Sequence, residues 1–430
     1  MWLRIAASAA FAIASCLAAR AQSRDISSNP AISLDAAFAR VAQAHPQLRL
    51  FGARLDGLEA ERARASLRPA LVAGAGIENA LGTGKASGLD EAEITLSLAS
   101  VFERGGKLDA RRTLVQSRID ALTVEREAQR LDLLAETARR YLAVVAARHQ
   151  ARIARLDIEQ RERTVAAASA RHRAGASPES VVLTAEVALA RAELDLSRAE
   201  QRQSAARQHL ASLWGERAPT FEVIGGDPLV LPEIVEFATL ADWLERTPEL
   251  VRFVGERRVR EARLELARSE ARPDVDWQFG VRRLPDDDFG VVAGVSIPLG
   301  GQGRAQPGIR AARAELAALE IEREAKDLSL YSILVEAHGR YRIARTEVRR
   351  LGADVLPLLD RAEAAAAAAY RAGAASYLEW ASLQGERSAV RKQRLDAALE
   401  AQRALIEIQR LTGQAFVTDD SARTGRGETP

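Results

Sequence analysis

The sequence predicts a mainly α-helical chain with a small β part, built as an internal tandem repeat of long helical hairpins. Three observations predict it. Charged residues make up 28% of the 430 residues and aromatics only 5%, and Ala, Leu, Arg and Glu dominate. That is the composition of long amphipathic helices. Arg173-Ala174-Gly175 recurs 198 positions on as Arg371-Ala372-Gly373. Of two pairs of short strand-like segments, three alternate apolar and polar residues with the period of a strand, and the first, about 70–79, is Gly-rich and less clear.

The first 21 residues read as an export signal. Arg4 gives the positive start, Ile5 to Ala18 is an apolar run too short to span a bilayer, and Ala19-Arg20-Ala21 fits cleavage before Gln22. Ile13-Ala14-Ser15-Cys16 also fits a lipobox, and that alternative stays open. Cleavage after Ala21 removes the only Cys and the only Met, so no disulfide framework is expected in the exported chain. The formal charge of +2, with acids and bases intermixed, argues against a nucleic-acid partner.

The repeat unit is about 200 residues long. Ala44-His45-Pro46-Gln47-Leu48 recurs as Arg246-Thr247-Pro248-Glu249-Leu250, Arg68-Pro69 as Arg272-Pro273, and Leu213-Trp214-Gly215 as Leu411-Thr412-Gly413. The expected division is 22–215 for the first repeat, 216–238 for a link, 239–413 for the second repeat, and 414–430 for a partly disordered tail. Each repeat is expected to hold a helix (33–67, 239–271), two strands, a long helical run (106–172, 304–371), a turn, and a return helix (178–213, 376–412). A run of about 67 residues spans roughly 100 Å as one helix. In the return helix Val182, Ala185, Leu189, Ala192, Leu196, Ala199, Gln203, Ala206, Leu210 and Leu213 step by three and four, a heptad seam. Gly175 and Gly373 end the long runs, because Gly takes the left-handed conformation at a helix stop. Each Arg-Ala-Gly is therefore a hairpin tip.

The strands are expected at about 70–79, 91–99, 274–282 and 289–299. Ile94, Leu96 and Leu98, then Val275, Trp277 and Phe279, then Val291, Val295 and Ile297, alternate with polar or small residues. That pattern suits transmembrane β-strands with one face on lipid. Four strands cannot close a barrel, and an open edge in lipid leaves backbone groups unpaired, so several chains would have to share one.

The repeat order, the paired His-Pro and Thr-Pro segments and the two tips resemble the TolC-type outer membrane factor (outer membrane efflux protein) family. Phe102-Glu103-Arg104-Gly105-Gly106-Lys107, and Ser296-Ile297-Pro298-Leu299 followed by Arg304, Gln306 and Ile309, are similar to its CzcC-like cation-efflux branch. The resemblance implies a homotrimer whose twelve strands form a β-barrel in the outer membrane, joined to a twelve-helix α-barrel in the periplasm. It implies a passive duct docking through its tips (Arg173, Ala174, Gly175, Arg371, Ala372, Gly373) on a periplasmic adaptor and an inner-membrane RND-type pump. It also implies a periplasmic gate at Tyr370, Arg371 and Glu379, with Tyr370 making polar links between helices. Ser382 and Ala375 depart from the family's gate pattern, so fewer links are expected there.

Heavy-metal cations are the expected cargo, with drug efflux or type I protein secretion as the alternative. A periplasmic coiled-coil adaptor is the reading from another class. No catalytic constellation is present. No two of His45, His149, His172, His209 and His338 lie within four residues of each other, so no resident metal or other cofactor is expected.

Overall fold

The computed structural model describes residues 31–84 and 87–413; the signal-peptide and Cys16 readings and the tail 414–430 lie outside them. Nine helices are described there: α1 (Leu34–Ala44), α2 (Pro46–Ala65), α3 (Lys107–Arg173), α4 (Glu179–Ala211), α5 (Phe237–Leu244), α6 (Pro248–Ser269), α7 (Gly301–Arg350), α8 (Leu356–Ala372) and α9 (Tyr377–Thr412). The strands are β1 (Ala31–Ile32), β2 (Val72–Glu78), β3 (Glu93–Phe102), β4 (Glu222–Val223), β5 (Val275–Arg283) and β6 (Phe289–Ser296).

Three expected helices are interrupted. The helix foreseen at 33–67 breaks between α1 and α2, and that at 239–271 between α5 and α6. The cause is Pro46 and Pro248, which lack an N–H and drive the preceding residue extended. His45 sits at ψ 126 and Thr247 at ψ 146, and each proline opens the next helix. The run foreseen at 304–371 starts at Gly301 and widens into a π-turn at Leu351–Val355. Pro357 follows that turn in the first turn of α8. Arg394 presses against Gly352 there: a Cβ on Gly352 would lie 2.6 Å from the guanidinium carbon. The matching α3 runs unbroken for 67 residues.

The helices pack in two tiers. Near the main sheet the neighbours run α2–α3–α6–α7; toward the tips they run α4–α3–α9–α8. At the handover α9 ends where α6 begins. Arg410, in the last turn of α9, pairs with Glu249, in the first turn of α6. Each charge suits its own helix dipole. Arg410 also holds Glu407 at 2.8 Å and Asp132 at 3.0 Å, while Arg139 pairs with Glu407 and Lys326 holds Glu249 at 2.6 Å. Four helices therefore meet in one charge network.

The middle of the molecule is held by matched tyrosines. Tyr141 on α3 donates to the Ile32 carbonyl at 3.0 Å, and Tyr341 on α7 donates to the Pro232 carbonyl. Both span 109 residues, so they are one contact made twice by the duplication. Burial pushes the Tyr341 phenol up to about 12. Two apolar cores surround these residues, one containing Ile32, Tyr141 and Phe221, the other Leu240, Leu330 and Tyr341.

Candidate functional site

The main sheet has the order β2-β3-β5-β6, antiparallel throughout. Its register sorts residues by face. Leu98 pairs with Phe279, Leu96 with Val281, Trp277 with Val295 and Val281 with Val291, while Ile94 pairs with Ile77. Eight of the nine residues expected to face lipid thus lie on one face. Ile297 falls one residue past the end of β6. This face is uncovered: Phe289 is 74% exposed, Val291 69% and Val295 71%. A soluble protein rarely leaves so continuous an apolar surface bare.

The opposite face carries Gly74, Gly76, Glu78, Glu93, Thr95, Ser97, Asp276, Gln278, Gly280, Arg282, Gly294 and Ser296, with Val72, Ala99, Val101 and Val292 among them. Both outer strands, β2 and β6, present an unpaired edge among the described residues. Among the described residues no helix is long and apolar enough to cross a membrane, which says nothing of the strands.

The Phe102–Lys107 motif is the strand-to-helix junction. Gly105 and Gly106 both take positive φ, at 85° and 76°, and Gly300 takes 81° at the corresponding entry to α7. A Cβ on Gly105 would lie 2.8 Å from the Ser269 carbonyl, so a side chain at that position forces the backbone to shift. Glu103 accepts both prongs of the Arg111 guanidinium at 2.6 and 2.7 Å. Those hydrogen bonds hold its carboxyl below the usual range. Asp274, just before β5, accepts from Lys107 Nζ at 2.7 Å and from the Arg104 amide at 3.0 Å. Burial pushes Asp274 up, but these partners outweigh it and its pKa is lowered. The junction therefore ties both repeats together at the foot of the sheet.

At the tips, Arg173, Ala174, Gly175, Arg371, Ala372 and Gly373 are all exposed. Gly175 and Gly373 take φ 70° and 82°. Of the three expected gate residues, Tyr370 is 3% exposed, whereas Arg371 and Glu379 face solvent. Arg371 Nε returns to the Ala367 carbonyl at 3.2 Å, and the Glu379 amide is capped by Ser376 Oγ at 3.2 Å. The three do not form one cluster.

Tyr370 does link the two hairpins, but through its ring and its carbonyl. Arg171 stacks on the ring at 4.9 Å and donates to the Tyr370 carbonyl. The Trp380 ring lies 5.2 Å away. The phenol oxygen is buried with no hydrogen-bond partner among the described residues.

The polar link lies two turns above, around Glu363, which the sequence reading missed. Its Oε1 accepts from Gln160 at 2.7 Å and Trp380 at 2.8 Å, and Arg387 stands 3.3 Å from Oε2. Gln384 donates to Thr164 Oγ1 at 2.9 Å. Gln160, Thr164 and Arg171 form a line down α3 that pins the first hairpin to the second. A signal was available: Leu356, Leu359, Glu363, Ala366 and Tyr370 make one buried stripe of α8, and Glu363 is its only charge.

Residues 18–216 match the sequence model of the family described as "Outer membrane efflux protein". That match spans the first of the two repeats. It is 26% identical over 314 residues to the cobalt-zinc-cadmium resistance protein CzcC of Cupriavidus metallidurans, covering 73% of this chain and 75% of that one. Its fold is that of CusC (TM-score 0.74, 17% identity, 89% of this chain and 92% of that chain). VceC of Vibrio cholerae (0.71, 16%, 89% and 97%) and the open-state outer membrane channel MtrE of Neisseria gonorrhoeae (0.71, 17%, 90% and 90%) share it.

Proposed function

We propose that the chain is an outer membrane efflux protein, a passive, homotrimeric duct for heavy-metal cations. The carrying observation is the open four-stranded sheet. One face is mostly apolar and bare, the other carries most of the sheet's polar and glycine positions, and among the described residues both edge strands lack partners. In hydrocarbon such edges have to be closed. β2 follows α2, at one margin of the helical layer, and β6 leads into α7, at the other margin. The same rotation that brings β6 of one copy to β2 of the next therefore also joins the helix margins. Because the strand order alternates direction, the new pairing is antiparallel. Three copies give twelve strands and, in each tier, twelve helices.

The margins fit such contacts. On α4, Leu183, Val187 and Leu194 form a second stripe of 49–53% exposure, apart from the heptad seam buried against α3. On α7, Ile321, Leu328 and Ile343 are 64–71% exposed. In this reading most of the chain lies in the periplasm and the apolar sheet face meets outer-membrane lipid. The exposed tips meet an adaptor linked to an inner-membrane RND-type pump. Tyr370, Arg371 and Glu379 stand at the periplasmic gate, with Glu363 holding the hairpins together. The cargo assignment draws on the CzcC likeness. The protein supplies a path and no chemistry, so neither a cofactor nor a catalytic residue has a role.

Deletion of the gene, with growth scored on zinc, cobalt and cadmium, tests the cargo. Sensitivity of the deletion strain that is relieved by the wild-type chain, but not by one lacking residues 289–299, supports the reading. Unchanged tolerance to all three metals contradicts it.

A further inference from the structure

The polar face of the sheet carries a charge cluster at its loop end. Glu78 on β2 and Glu93 on β3 are directly opposed in register. Like charges so placed repel. Arg282 on β5 reaches across β3 to both, with Nη1 2.8 Å from Glu93 and Nη2 2.9 Å from Glu78. Its Nε donates to Thr95 Oγ1 at 3.0 Å, and Asn79 Nδ2 donates to the other Glu93 oxygen at 3.0 Å. One guanidinium is thus shared by two carboxylates, which leaves each chain with one net negative charge there. The Glu78 side chain stays 58% exposed, against 18% for Glu93.

We propose that the Glu78–Arg282–Glu93 cluster is an ion-selecting ring at the outer mouth of the channel, and that Arg282 sets how strongly it favours cations. The inference rests on the duct reading, which puts this face on the lumen and repeats the cluster three times. Twelve strands at about 4.8 Å give a ring roughly 58 Å around and roughly 18 Å across, wider once tilted. The wall charge then lies about one Debye length, ~10 Å, from the axis at 0.1 M salt. An ion anywhere in the mouth feels it. At 1 M the Debye length falls to about 3 Å, and only ions at the wall do. Neighbouring positions on this face are Gly76, Gly280 and Gly290, so no other charged side chain of the sheet competes at that level. Rings of charged side chains select ions by their field.

The test uses purified full-length protein in planar bilayers, with the reversal potential read across a KCl gradient. Wild type is compared with Arg282→Gln and with the Glu78→Gln, Glu93→Gln double variant. The formal ring charge is then −3, −6 and +3 respectively. The K⁺ over Cl⁻ permeability ratio is expected to rise about twofold or more in R282Q near 0.1 M and to fall below wild type in the double variant. Both differences should shrink toward 1 M. The tips and acidic loops are common to all three proteins, so a difference comes from this ring. Equal ratios in three conducting channels overturn the inference, as does an R282Q protein that melts lower but selects as wild type does. Absence of any wild-type conductance instead overturns the duct reading beneath it.

Discussion

Replacing Arg410 by Met should loosen the splice between α9 and α6. The arginine side chain is only 13% exposed and reaches Glu249, Glu407 and Asp132. Glu249 and Glu407 are themselves only 18% and 17% exposed. Removing one partner of a buried pair costs about 3–5 kcal/mol, because the remaining charge has lost its compensation. Lys326 and Arg139 still neutralise part of it, so the lower end, about 3 kcal/mol, applies. With unfolding entropy near 2.1 cal/mol/K per residue, that lowers the melting temperature by roughly 4 °C. The assay is thermal unfolding followed by circular dichroism at 222 nm in detergent. Arg163→Met is the control, since Arg163 is 70% exposed and its pair with Glu159 is worth little. A double-mutant cycle with Glu249→Gln should show clear coupling, because the two residues share one interaction. If R410M melts within a degree of the control, or the cycle shows no coupling, the splice contributes nothing.

The same network predicts an acid response. Burial pushes Glu249 and Glu407 up, but Lys326 and Arg410 around the first, and Arg410 and Arg139 around the second, hold both below their ordinary value. A carboxyl lowered in the folded state stabilises above its unfolded pKa near 4.5, and that stability is lost as the pH falls from there through the lower folded-state value. The wild-type melting temperature should therefore drop more than that of R410M as the pH is taken from 7 to well below 4.5; parallel curves contradict this. Gly105→Ala should cost about 2–3 kcal/mol, combining the left-handed backbone with the clash at Ser269, against about 1 kcal/mol for Gly106→Ala, which meets nothing within 4 Å. The difference is read in the melting temperatures of the two variants, followed by circular dichroism at 222 nm. Tyr370→Phe removes a hydroxyl that lacks a partner and should leave stability unchanged or raise it by up to about 1 kcal/mol. Glu363→Leu should instead weaken the link between hairpins and raise channel conductance. A conductance equal to wild type would show that Glu363 plays no part in holding the tips.

Much of the fold was legible because it repeats. The strand alternation from Val275 to Phe279 and from Val291 to Val295 is a local signal, and antiparallel pairing at once put those residues on one face. The breaks at Pro46 and Pro248 were equally visible as prolines, but the apolar periodicity continues across them and hid the change of direction. The π-turn at Leu351–Val355 depends on Arg394 entering beside Gly352, a contact between helices that sequence spacing does not reveal. At the tips, the family resemblance drew the eye to the Tyr370 hydroxyl. The structure gives the polar link to Glu363 and Gln384, whose partners Gln160 and Thr164 lie more than 200 residues away. Tyr141 and Tyr341 stand 200 residues apart, within the repeat offset, and a full self-alignment would have paired them.

The central claim is that β6 of one copy closes against β2 of the next. Single cysteines placed in pairs, Ala73 or Ala75 with Ala293 or Val295, test it in a chain whose only native cysteine is Cys16. Oxidation in outer membranes should give a covalent ladder that stops at three chains for at least one register. Monomers throughout, or a ladder running on past three, would contradict the closed ring.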